Sequence, residues 1–141
     1  MIGAAGAVSS ELIALLGRSG EKVRTATREP ENARRGSNSA AEFVEFDFER
    51  PESFPPSLDS VDRVFLIARS GDEHPDRVAT PLIDEMKRQG VRHVVNLSAM
   101  GIETRDGIGL RRVELYLENS GIGFTHLRPT SPNPGGSTIT W

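Results

Sequence analysis

Gly3-Ala4-Ala5-Gly6-Ala7-Val8-Ser9 runs straight into Ser10-Glu11-Leu12-Ile13-Ala14-Leu15-Leu16, and this junction decides the fold. Val8, Leu12, Leu15 and Leu16 recur at i, i+4, i+7 and i+8, which predicts a helix over residues 8–19 with one apolar face. Gly20 is its stop signal. The glycines ahead of it permit a tight turn and let the backbone approach a phosphate. The helix start then offers free N–H groups and a partial positive charge to a pyrophosphate. Ser9 stands where a third glycine often serves close helix–strand packing. A loop of this kind ordinarily follows a strand, yet only Met1 and Ile2 precede Gly3. The expectation is a sheet whose first, central strand is largely missing.

Outward from the junction, strands and helices alternate. Residues 22–27 read as a strand, residues 29–40 as a polar loop with one helical turn, and residues 43–48 as a strand ending near Asp47. Pro55 and Pro56 are expected to break any helix within residues 51–60. The run Val64-Phe65-Leu66-Ile67-Ala68 suits a strand buried on both faces, within residues 61–68. Val78, Leu82 and Met86 mark a helix over residues 76–89, with Pro81 predicting a kink or a later start near Thr80. Residues 91–97 read as a strand, residues 109–120 as a helix closed by Gly121, and Gly123–Leu127 as the last strand. Short connections and apolar strands predict an α/β fold with a doubly wound, mostly parallel sheet. Residues 22–27 and 61–68 should flank its empty centre. One domain over residues 1–130 is expected, with an irregular tail over residues 131–141.

Composition narrows the function. The chain has 141 residues, 17 Lys+Arg against 20 Asp+Glu, and no cysteine. A net charge of −3 gives no basic field for nucleic acid. Thiolate ligands, thiol nucleophiles and disulfides are excluded. Apolar runs fall short of a membrane span, and no leader pattern stands at the start, so a cytoplasmic chain is expected. Hydrophobic residues are only 36%, alongside 14 glycines and 9 prolines, a lean core.

Five blocks occur in order: GAAGAVSSELIALL (3–16), VRTATREP (23–30), FLIA (65–68), LIDEMKRQGVRHVVNLS (82–98) and YLENSGIGFTHLRP (116–129). Together they resemble the NmrA-like family of atypical short-chain dehydrogenases, over roughly residues 3–130. The resemblance implies a Rossmann-like NAD(P)-binding domain. Members include NAD(P)H-dependent quinone reductases and cofactor-sensing regulators, and they continue after the LRP block into a substrate-binding part. Residues 131–141 depart from that pattern.

The implied cofactor site comprises Gly3, Ala5, Gly6, Ala7, Val8, Arg28, Asp47, Phe48, Ile67, Ala68, Arg69 and Ser98. An acid at the end of the strand over residues 22–27 would favour NAD, whereas Arg28 suits the extra phosphate of NADP. NADP is therefore the expected cofactor, with NAD possible. Asp47 matches a position beside the adenine amino group, or else caps a turn. Residues 67–69 would pass the middle of the cofactor, and Ser98, Ala99 and Met100 the nicotinamide.

Catalytic residues are not defined. Ordinary short-chain dehydrogenases use a Tyr and a Lys four residues later, but Ser120 follows Tyr116 at that spacing, and Lys22 and Lys87 are the only lysines. Tyr116 reads as helix packing with its hydroxyl at the surface. His74, His93 and His126 show no metal-binding spacing. Carbonyl reduction is disfavoured, and hydride transfer to a quinone-like acceptor is not. The alternatives are a noncatalytic NAD(P)H-sensing module with a protein partner, and an inactive fragment.

Overall fold

The computed structural model describes residues 1–2, 7–37, 40–68 and 74–129. The expected site residues Gly3, Ala5, Gly6 and Arg69, and the expected tail, lie outside the described residues. In chain order the elements are α1 (Ala7–Arg18), β1 (Arg24–Thr27), α2 (Pro30–Arg35), β2 (Glu42–Glu45), a 3-10 turn (Pro51–Ser53), α3 (Phe54–Leu58), β3 (Arg63–Ile67), α4 (Pro75–Arg88), β4 (His93–Leu97), α5 (Gly109–Glu118) and β5 (Gly123–Leu127).

Every strand pair is parallel: β1 with β2, β3 with β4, and β4 with β5. Met1–Ile2 joins the two sheets. Ile2 bridges Ala26 of β1 and Leu66 of β3, both in parallel sense. Its amide donates to Phe65 O at 2.9 Å, while Ile67 N donates to Ile2 O at 3.0 Å and Ala26 N to Met1 O at 2.9 Å. Among the described residues, Met1 and Ile2 hold the central place, with the expected strands as their neighbours. Counting Ile2 as the first strand, the spatial order is third, second, first, fourth, fifth, sixth, the order of a doubly wound dinucleotide-binding sheet.

The core lies chiefly between the sheet and α4–α5. Leu66, Leu82, Ile83, Met86, Val94 and Leu117 are fully buried, and Ile2 is only 2% exposed. The opposite face is less covered. Phe65 and Ile67 of β3 are half-buried, so this strand is not enclosed on both sides as its continuous apolar run predicts. Leu15 likewise stands 54% exposed on α1, while Ser9 is buried in the position expected for close packing.

Two local expectations are corrected and one is narrowed. Pro55 and Pro56 do not abolish a helix, because they occupy the first turn of α3, where no N–H is needed. Helix α4 (Pro75–Arg88) agrees with the expected helix over residues 76–89; of the two readings of Pro81, the later start near Thr80 is not taken, and Pro81 sits inside the helix on its exposed side. Strand β2 ends at Glu45, short of Asp47, because its partner β1 ends at Thr27, which accepts the Phe46 amide at 2.9 Å; the Phe46 ring stacks on Phe54 with centroids 5.3 Å apart.

Candidate functional site

A parallel sheet brings the ends of all its strands to one edge, and ligands of open α/β sheets bind outside that edge where the strand order reverses. Here the reversal falls between Ile2 and β3. Around it lie the start of α1, Thr27 at the end of β1 and Arg28 after it, Asp47 and Phe48 after β2, Ile67 and Ala68 at the end of β3, and Ser98 after β4. Topology therefore brings the described candidates to one edge. Val8 is half-buried in the first turn of α1, as are Ile67 and Ala68 at their strand end.

Arg28 is exposed and makes no ion pair among the described residues. Neighbouring cations are committed: Arg24 to Glu42 at 2.8 Å, Arg34 to Glu31 at 2.8 Å, and Arg50 to Glu45 and Glu52 at 2.6 and 3.1 Å. Glu29 is also occupied, accepting a hydrogen bond from Asn32 Nδ2. Asp47 caps the turn that follows β2. Its Oδ1 accepts the Glu49 amide at 3.0 Å, and its own amide donates to Ser53 Oγ at 3.0 Å. Phe48 packs edge-on against Phe46 at 5.0 Å. An exposed guanidinium after β1, without an ion pair among the described residues, suits an anionic phosphate better than a ribose diol.

At the far end of the same edge lies a group of residues whose proximity the sequence did not reveal. Glu114 of α5 is fully buried. It accepts from Arg128 Nε and Nη2 at 2.9 and 2.8 Å and from Arg111 Nη1 at 2.8 Å. Arg111 also reaches Glu118 at 2.8 Å, and His126 Nε2 lies 3.3 Å from the same Glu118 oxygen. Burial alone would raise the Glu114 carboxyl, but the hydrogen bond from Arg128, the Ser98 hydroxyl beside it and the hydrogen bond from Arg111 prevail and hold it at about 2. Glu114, Glu118 and His126 offer ligand atoms within 4.8 Å of one another. Two guanidiniums already occupy the Glu114 carboxylate, so the group is a charge-balanced clamp and a poor cation site. Asn96, whose amide nitrogen lies 3.3 Å from His126 Nδ1, extends it across β4. The weak sequence signal was an Arg directly after β5 and a Glu 14 residues before it.

Tyr116, on the same helix, is tied to α4 instead. Its hydroxyl donates to Asp84 of α4 at 2.7 Å, a bond that raises the phenol above its ordinary range. A tyrosine serving as an acid–base group needs the opposite shift.

The fold and site define a class, the doubly wound nucleotide-binding domain. The chain matches the NAD(P)H-binding family over residues 3–139 and belongs to it. It is 37% identical over 94 residues to Prestalk A differentiation protein A of Dictyostelium discoideum, covering 67% of this chain and 30% of that protein. It is 32% identical over 146 residues to (4-alkanoyl-5-oxo-2,5-dihydrofuran-3-yl)methyl phosphate reductase of Streptomyces griseus, covering 99% of this chain and 49% of that one. Among solved structures, the NADPH-dependent quinone oxidoreductase of Escherichia coli complexed with NADPH superposes with a TM-score of 0.79 at 21% identity, over 90% of this chain and 47% of that one. The chain spans half or less of the length of these relatives. Among the described residues, no helix is long and apolar enough to cross a membrane.

Proposed function

We propose that residues 1–130 are the cofactor-binding part of a cytoplasmic NmrA-like reductase that takes hydride from NADPH and delivers it to a quinone-like or other small organic acceptor. Residues 131–141 are then an irregular tail. The observation that carries the NADPH reading is the exposed Arg28 directly after β1, without an ion pair among the described residues, near the strand-order reversal. In this reading the loop of Gly3, Ala5, Gly6, Ala7 and Val8 receives the pyrophosphate, and Arg28 pairs with the 2′-phosphate. Phe48 and Asp47 border the adenine, Ile67, Ala68 and Arg69 follow the middle of the cofactor, and Ser98 lies toward the nicotinamide. Reduction of a quinone needs one hydride from NADPH and one proton, and solvent supplies the proton, so no Tyr–Lys pair is required. The quinone oxidoreductase and the phosphate reductase among the similar proteins support a reductase role.

The experiment is NADPH oxidation by the full-length protein against a panel of quinones and azo dyes, with NADH in parallel. Turnover with NADPH preferred supports the reading, and tight NADPH binding without turnover of any acceptor favours a cofactor-sensing module. The absent Tyr–Lys pair, with Tyr116 tied to Asp84, is the observation behind that second reading.

A further inference from the structure

We propose that Asn32 is a positioning residue for cofactor choice, which restrains the Glu29 carboxylate so that Arg28 faces a 2′-phosphate alone. This rests on the reading that NADP binds outside the end of β1. Arg28 and Glu29 are consecutive and both exposed, so opposite charges compete for whatever approaches the strand end. An unrestrained Glu29 would repel a 2′-phosphate, neutralise Arg28, or accept hydrogen bonds from ribose hydroxyls, and each of these favours NADH. The fold removes that competition locally. Glu29 is the N-cap residue of α2, yet its side chain makes no capping bond to the helix backbone. It is drawn along the first turn to Asn32, whose Nδ2 donates to Glu29 Oε2 at 2.5 Å. Asn32 is the third residue of α2, so its side chain reaches back over the first turn to the N-cap residue. Glu31 on the same turn is occupied by Arg34 at 2.8 Å, so the neighbouring acid is withdrawn from Arg28 as well.

The test is a double-mutant cycle read as two dissociation constants. NADPH and NADH are titrated by calorimetry into the 141-residue chain and into its Asn32→Ala, Glu29→Ala, Glu29→Ala/Asn32→Ala and Asn32→Gln variants. Alanine is a better helix former than asparagine, so α2 survives the change. Asn32→Ala is expected to weaken NADPH binding about threefold to tenfold, in line with one hydrogen bond and a like-charge contact near the surface, and to leave NADH unchanged or tighter. In the Glu29→Ala background the same change should have no effect, and Asn32→Gln should retain part of the preference. An equal loss for both cofactors, or the same NADPH loss without Glu29, would overturn the positioning role. Arg28→Ala separates the two levels: if it spares NADPH binding, the phosphate reading itself fails. A chain that binds neither cofactor overturns both.

Discussion

Arg28 and Arg128 occupy the same kind of position, each directly after the last residue of a parallel strand, and the fold uses them in opposite ways. Arg128 follows β5 and meets a fully buried carboxylate at 2.8 and 2.9 Å. Arg28 follows β1, is exposed, and has no ion pair among the described residues. The difference comes from what lies beyond each strand end. Helix α5 lies against β5 and presents Glu114, whereas the acid nearest Arg28 is turned aside to Asn32. A strand-end arginine therefore belongs to the scaffold where a helix brings it a buried counter-charge. It remains available to a ligand where none arrives.

The largest expected effect falls on the committed side. Glu114→Ala leaves two guanidiniums without their shared buried partner and should lower unfolding free energy by about 3–5 kcal/mol in urea titrations. A loss below about 1 kcal/mol would break the contrast with Arg28. The same clamp has a pH signature. The folded chain holds Glu114 at about 2 against its ordinary 4.5, so its carboxylate is favoured in the folded state. Its stabilisation is complete above pH 4.5 and is lost as pH falls toward 2. The stability gap between the wild type and Glu114→Gln should close over that window.

Next is Ile2, the seam between the two ends. Ile2→Ala removes a side chain that is 2% exposed and should cost about 2–4 kcal/mol in the same titrations. A near-neutral result would mean that the stub carries backbone pairing alone. Arg28→Ala should change stability by less than about 0.5 kcal/mol, as an exposed substitution. It should nonetheless weaken NADPH binding about tenfold relative to NADH, through loss of a charge-assisted hydrogen bond. Tyr116→Phe is the smallest, about 0.5 kcal/mol or less in thermal unfolding, since its bond to Asp84 is exposed.

The sequence disclosed β3 and β4 well because their apolar runs are short and sharply bounded. Gly123–Leu127 has the expected bounds, and Gly121, with φ +85°, is the residue that lets the chain reverse before it. Pro55 and Pro56 misled because a proline count does not reveal that both fall in a first turn. Leu15 fits the apolar face of α1 by spacing, yet it is exposed because spacing does not report how far the sheet extends beneath the helix. The start of α1 was legible because the apolar spacing of residues 8–16 carries it, whereas the roles of Arg28 and of the loop before α1 rest on residue type alone. The clamp was not legible. Glu114 reads as a solvated helix charge, and only the packing of α5 on β5 joins it to Arg128 and His126.

The central claim is that NADPH lies across the edge where the strands end, at the reversal beside Ile2. The most direct measurement is a 15N-labelled NMR titration of residues 1–141 with NADPH. The predicted result is saturable amide shifts at Val8, Thr27, Arg28, Ala68 and Ser98, with Arg92, Ser120 and Gly121 at the opposite edge unmoved. Shifts confined to that opposite edge, or none at millimolar NADPH, would contradict it.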